Sequence, residues 1–432
     1  MCINPGYLYS MRNFLTFALL FCCCIAFSQT YEEVKDRYDK YLNYKGSLDK
    51  YVEISPSQIT LYTYAGGKKE VDLSIAKKDW CTFTALYKSL PADSAAGFYR
   101  RIKSKTAFKT SAENLPGDCA TPQKPLEKAR IMIDPGHMAG NLGMAHMEQK
   151  YLHFTREHCP ALKQDSLDIA EGMLTWQTAS ILKKMLEEKG ATVAFTRREN
   201  GTAFGCSYDE WLRLYKKRTL DSLLKAGKIT AKKHKWLLKM GKAPFFLEFF
   251  KDYELLQRSR VINAYRPDLT AIIHYNVNEK NVPWQKPSDK DFCMAFVPGC
   301  LTADNLESAA GKMNFLRLLL SNDVNKSEQV SALLVSELSQ QLSVPIAKTT
   351  DATYLSEHCL STRSAGVYCR NLALCRLAQS PLMYGECLYQ DDEQECYQLI
   401  SNTENKYGVQ TNKRVVQAAQ AFYNAIVKFY AR

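Results

Sequence analysis

Short closed apolar runs, separated by longer stretches with apolar residues every three or four positions, predict strands alternating with helices. The runs stand at 131–133 (IMI), 192–196 (TVAFT), 269–273 (LTAII), 292–297 and 381–384 (PLMY). Each is short and bounded by turn or polar residues, as a buried strand is. After the first run, Leu174, Thr178, Ile181, Leu182, Met185 and Leu186 mark one face of a helix that Glu171 opens and Gly190 closes as a C-cap. Residues 255–265 and 330–342 also read as helical, and residues 368–377 as a segment that positions the last strand. Val415, Ala419, Phe422, Ile426 and Phe429 put one apolar face on a terminal helix. Strand, helix and strand in succession make a βαβ unit, which calls for a parallel sheet. The predicted fold class is therefore α/β, a mostly parallel central sheet flanked by helices.

The pattern is different ahead of residue 126. Residues 31–53 read as helical, and 58–64 and 70–75 as strands around the hairpin signal Ala65-Gly66-Gly67. Residues 114–127 carry Pro116, Pro122 and Pro125 without apolar period and read as a linker. The expected organisation is a signal peptide at 1–28, a small N-terminal α+β module at 29–112, a linker at 113–125, and a large domain at 126–432. An insertion at about 198–252 interrupts the large domain. The signal reading rests on Arg12 followed by the uncharged run NFLTFALLFCCCIAFS at 13–28, which is too short for a transmembrane anchor. It predicts an exported protein of the periplasm or cell envelope, with no stable membrane span after processing.

Composition narrows the class. With 432 residues, 46% hydrophobic and 24% charged, the chain can bury a large core. Of its 15 cysteines, Cys2 and Cys22 to Cys24 fall in the signal, leaving an odd number for the mature chain. No C-x-x-C is present, so neither a zinc ribbon nor a thioredoxin-like motif is supported. The net charge of +12 is concentrated at 215–242, where ten lysines or arginines stand against one acid, Asp221. That stretch reads as two helices broken at Gly227, with Thr230 as an N-cap, Leu220, Leu223, Leu224, Leu237 and Met240 inward, and the FFLEFF run at 245–250 docking it. It leaves from the end of the 192–196 strand, so a basic flap over that edge of the sheet is expected. No nucleic-acid partner is called for, and no P-loop or dinucleotide fingerprint appears.

The candidate chemistry lies where the apolar runs stop. Asp134-Pro135-Gly136 turn the first run into His137; the third delivers His274, with Asn276 just behind; the last ends in Gly385 and Glu386. One histidine after one strand is ordinarily a core or surface residue. Three strand ends and the helix start at Glu171 share one edge of a parallel sheet, however, and open α/β sheets bind ligands there. Two imidazoles and one carboxylate suit zinc with a fourth position left for water, and the remaining carboxylate would be a general base or acid. His146, Glu148, His153 and His158 fall in a stretch that reads as irregular, from His137 to about Ala170, and spacing singles none of them out as a ligand.

These residues resemble a known family. IDPGH at 133–137, Glu171 followed by Thr196-Arg197, Arg258 and Asn263 before IIHYN at 272–276, and PLMYGE at 381–386 are similar, in order and spacing, to the zinc-dependent N-acetylmuramoyl-L-alanine amidases. The resemblance covers about 126–430. It implies a peptidoglycan hydrolase that cuts the amide between N-acetylmuramic acid and the L-alanine of the stem peptide. By that likeness His137, Glu171 and His274 are zinc ligands and Glu386 is the catalytic glutamate. Arg258 and Asn276, which stand in the matching motifs, are expected to be substrate residues, and Glu148, in the departing stretch, either to support a ligand or to meet substrate. A protein activator is compatible with it. The chain departs from the pattern in three places. MAGNLGMA follows His137 and a long insertion precedes Glu171; Thr175 replaces the usual Asn; Cys387-Leu388-Tyr389-Gln390 follows Glu386. Two alternatives remain: a zinc peptidase cutting within the stem, and a non-catalytic wall-binding protein on an amidase fold.

Overall fold

The computed structural model describes residues 29–90, 94–104, 123–138, 140–280 and 286–432. The expected signal peptide and most of the expected linker lie outside these residues. Strands β1 (Val52–Ile54), β2 (Gln58–Ala65) and β3 (Lys68–Ala76) form a small antiparallel sheet. The large sheet uses β4 (Arg130–Pro135), β7 (Thr192–Phe195), β8 (Leu269–Asn276), β9 (Met294–Pro298), β10 (Cys359–Ser361), β11 (Val367–Arg370) and β12 (Leu382–Tyr389). Between β4 and β7, the strands β5 (Tyr151–Thr155) and β6 (Ser166–Ala170) make a separate hairpin, and β13 (Glu404–Lys406) pairs with β14 (Val409–Thr411).

The seven strands run in the order β10-β11-β9-β12-β8-β4-β7. The pairs β4/β7, β4/β8, β8/β12 and β9/β11 are parallel; β9/β12 and β10/β11 are antiparallel. The chain is thus α/β, with a mostly parallel central sheet between helices and a small antiparallel module ahead of it. Strand pleating divides the core. Ile131, Ile133, Ala271, Ile273 and Met383 face the layer of helices Glu171–Glu188, Asp323–Leu342 and Lys413–Tyr430. Met132, Ile272, Phe296 and Leu382 face the layer of helices Lys251–Tyr265 and Ala373–Leu377.

Several elements differ from the sequence reading. The first helix ends at Arg37 and continues as a π turn over Tyr38–Leu42, so 31–53 is not one helix. The stretch between His137 and Ala170 is not irregular. It holds a helix, Leu142–Glu148, and the β5/β6 hairpin, whose Leu152, Phe154, Leu167 and Ile169 alternate inward. β12 does not stop at Tyr384 but continues to Tyr389, with a register shift after Glu386, because Cys387, Leu388 and Tyr389 are buried. The Glu171–Glu188 helix closes as expected: Gly190 has φ +83°, and Ala191 N–H reaches back to the Leu186 carbonyl.

The small module and the large sheet share one continuous apolar cluster. Tyr87 Oη donates to Asn314 Oδ1 (2.8 Å), Thr84 Oγ1 to the Leu320 carbonyl (3.1 Å), and Lys88 pairs with Asp323 (3.1 Å). Arg37 reaches the Leu319 carbonyl and Tyr41 reaches Glu328. Among the described residues nine cysteines are free thiols, eight of them buried, and Cys81 is disulfide-bonded. No helix among the described residues is long and apolar enough to cross a membrane.

Candidate metal centre

β4 ends in a turn that is held from every side. His137 adopts φ +59°, a left-handed conformation that costs a non-glycine residue on the order of 1 kcal/mol. The surrounding bonds offset that cost. Arg258 donates to the Pro135 carbonyl (2.8 Å) and the His137 carbonyl (2.6 Å). Arg197 donates to the carbonyls of Pro135 (3.0 Å) and Gly136 (3.1 Å), and Thr175 Oγ1 to that of Gly136 (2.7 Å). Gly136 is required by crowding: a Cβ there would lie 2.4 Å from the His274 ring.

Beneath the turn lies a buried ion network. Arg258, 2% exposed, pairs with Asp134 (3.1 Å) and with Glu254 (2.8 Å) one helical turn away. Thr196 donates to Asp134, and Glu254 also accepts from Ala203 N–H. Arg258, read from the sequence as a substrate residue, thus spends its guanidinium on protein groups and fixes the His137 turn. Asn276 is occupied in the same way: its Nδ2 donates to Tyr354 Oη (2.9 Å) and its Oδ1 accepts from Val277 N–H.

Glu171, 3% exposed at the start of its helix, stands between the two imidazoles. Its Oε2 is 2.9 Å from His137 Nε2 and its Oε1 2.9 Å from His274 Nδ1, and Tyr275 N–H donates to Oε1 as well (3.2 Å). The rings lie 4.9 Å apart at 83°. One ligand atom from each of His137, Glu171 and His274 falls within 4.8 Å of the others. Burial alone would raise the Glu171 carboxyl, but the His137 and His274 imidazoles hold it well below the usual carboxylate range. Burial pushes His137 down to about 4 against the pull of Glu171, which keeps the ring neutral, as a metal ligand must be. Two imidazoles and one carboxylate on rigid elements fit a tetrahedral metal site with one position open.

Glu386 lies in register with His274 on the adjoining strand and is 8% exposed. Burial pushes its carboxyl up to about 7; His274 opposes the rise and Glu171 adds to it. Tyr384, two residues earlier on the same face, stacks on the His274 ring at 4.6 Å and 6°. Glu148 closes the other flank. Its oxygens accept from Met138 N–H (3.0 Å), Oε1 is 3.8 Å from His137 Nδ1, and burial pushes its carboxyl to about 7. The cleft encloses about 200 Å³ among His137, His274, Glu148, Lys150, Tyr384 and Leu374.

The basic insertion is only partly where the sequence placed it. Thr230 does cap the helix Ala231–Lys239, and Leu220 and Leu237 are buried with Trp211, Phe245, Phe246 and Phe250 in a small core of their own. Met138, next to His137, belongs to that core, and Phe246 and Lys251 line the cleft. Lys228, at the break between the basic helices, lines a different cavity with Tyr87, Leu256 and Asn263. The root of the insertion meets the site, and its lysine-rich tip reaches toward the N-terminal module. His146 stacks on Tyr151, His153 pairs with Asp168, and His158 bonds Thr155, so these three histidines stay out of the cluster.

Residues 131–428 match the sequence profile of the N-acetylmuramoyl-L-alanine amidases. The chain belongs to that family. Its members are hydrolases of amide bonds in the cell wall, and this chain has the α/β fold and a possible His-Glu-His metal site to match. Similar solved structures include the CwlD amidase of Clostridioides difficile in complex with the GerS lipoprotein (15% identity, 70% of this chain and 99% of that one, TM-score 0.36). Others are the amidase Ami1 of Mycobacterium abscessus (14%, 70% and 98%, 0.36) and the catalytic domain of CwlV from Bacillus (Paenibacillus) polymyxa (11%, 70% and 97%, 0.35). Membership rests on the family match and not on these distant likenesses. No curated protein matches the chain.

Proposed function

We propose that this amidase is a zinc-dependent peptidoglycan hydrolase that cleaves the amide between the lactyl group of N-acetylmuramic acid and the L-alanine of the stem peptide. The observation that carries the reading is the convergence of His137, Glu171 and His274 with the dry carboxyl of Glu386 in register beside them. Zinc, when bound by those three donors, polarises the scissile carbonyl and acidifies a water. Glu386 takes the proton from the attacking water and gives it to the nitrogen of the departing L-alanine. A carboxyl near neutrality can do both. Glu171 completes the donor set between the two imidazoles, Tyr384 holds the His274 ring, and Arg258 acts on the reaction only by fixing the His137 turn. Glu148 supports His137 or meets substrate at the cleft wall. We place the protein outside the cytoplasm, in the periplasm or envelope, where its substrate is.

The test is digestion of purified sacculi followed by mass spectrometry. Intact free stem peptides are expected. Shortened stems would make the enzyme a peptidase, and an unchanged digest with retained binding would make it a wall-binding protein.

A further inference from the structure

We propose that Lys150 is an anion-recognition residue of the cleft and takes a carboxylate of the stem peptide beside the metal donors, an inference that rests on the amidase reading above. The hairpin inserted before Glu171 explains how it gets there. Its ladder pairs Tyr151 with Ala170, so one step further Lys150 stands opposite Glu171. The bond from Glu171 N–H to the Lys150 carbonyl (3.3 Å) fixes that register. Gln149, at φ +58°, ends the preceding helix and turns the chain into the hairpin. An insertion that looks peripheral in sequence thus delivers a lysine to the backbone of a metal donor.

The charge balance of the cleft points to what Lys150 meets. Lys150 is half-buried and lines the cleft with His137 and His274. Among the described residues, no carboxylate lies within ion-pair distance of its ammonium. The buried cation of the same cleft, Arg258, is already committed to Asp134 and Glu254. Lys251, exposed at the cleft rim, adds charge of the same sign. The field of Lys150 reaches His137, Glu171 and Glu386. An ammonium in a half-dry cleft, near carboxylates but in direct ion-pair contact with none of them, favours an anionic ligand. Near the scissile bond the sugar and lactyl groups are neutral, and the carboxylates belong to the stem peptide. Lys150 therefore marks the side of the cleft on which the peptide lies.

The probes are a muramoyl tripeptide with a free carboxylate on its second residue and the same compound with that group amidated. Binding is measured by calorimetry on the zinc-loaded full chain carrying Glu386→Gln, so that turnover does not intervene. The acid should bind about tenfold more tightly than the amide. Adding Lys150→Met should bring the two affinities together, and Lys150→Arg should restore the preference. Lys150→Gln serves as a second neutral variant, and thermal melting of each variant verifies folding. A preference that survives Lys150→Met and Lys150→Gln overturns the proposal, as does equal binding of acid and amide before Lys150 is changed. Binding of neither compound by a folded, zinc-loaded chain overturns the amidase reading, and this proposal with it.

Discussion

The turn carrying His137 and the strand carrying Glu386 sit on either side of His274, and they are held in opposite ways. The turn receives hydrogen bonds from Arg258, Arg197 and Thr175, rests on a buried Asp134–Arg258–Glu254 network, and is pressed against the His274 ring at Gly136. The Glu386 carboxylate accepts no hydrogen bond from any described residue; the sheet ladder places it, and dryness sets its proton affinity. Geometry is therefore fixed where donors must match an ion, and left to the ladder where a proton has to come and go. Placing a ligand takes many bonds, whereas tuning a base takes the exclusion of water.

Removing a donor from the rigid side should have the largest effect. His137→Ala should lose bound zinc and with it all measurable turnover, read by metal analysis and by sacculus digestion. A full equivalent of zinc with normal rates would remove His137 from the ligand set. On the other side, Glu386→Gln should keep zinc and lower turnover by roughly 10²–10⁴. Loss of zinc there would move Glu386 among the ligands and erase the contrast between the two sides.

Stability should separate the sides as well. Arg258→Met leaves two buried carboxylates unpaired and should cost about 3–5 kcal/mol in urea unfolding. Glu386→Gln removes a group that burial already disfavours when ionised, and should leave the midpoint unchanged or slightly higher. An Arg258→Met midpoint equal to that of the parent would show that the turn does not depend on the network.

Glu148 tests the proton side of the comparison by pH. Its folded carboxyl, raised by burial to about 7, holds a proton more tightly than the unfolded chain does. Its contribution is thus full at acid pH and is lost as pH rises from the ordinary carboxyl range through about 7. Metal-free Glu148→Gln should accordingly gain stability relative to the parent across that window, as thermal melts in a pH series would show. A constant difference would mean that Glu148 is not dry.

The smallest effect is expected far from both sides. Changing Lys228, Lys232, Lys233 and Lys235 together to Gln should lower cleavage of intact sacculi in a salt-sensitive way and affect a small muropeptide little, if the basic tip steers the anionic polymer. Equal rates on both substrates at low salt would make the tip structural.

The elements legible from sequence were those with a strong local signal. Three apolar runs closed by Gly, Pro or a polar residue are strands β4, β8 and β12, and a capped apolar period is the Glu171–Glu188 helix. What escaped depends on contacts between distant segments. β5 and β6 are five residues each and ten apart, so neither alone shows a convincing alternation, and Lys150 gains its place only through their pairing. Tyr384 read as one more apolar position, because its stacking partner lies on another strand. The extension of β12 past Glu386 is visible only once Cys387 to Tyr389 are seen to be buried. For Arg258, Glu254 four residues earlier was a readable hint of an internal ion pair.

The apolar cluster shared by the N-terminal module and the large sheet sets an order on synthesis. The partners of Arg37, Tyr41, Thr84 and Tyr87 are residues 314–328, more than two hundred positions later. The N-terminal module must therefore keep Tyr41, Phe83 and Tyr87 uncovered until residues 314–328 have been made. During that interval a holding chaperone, or a slow translation rate, decides whether those aromatic rings find residues 314–328 or one another on a neighbouring nascent chain.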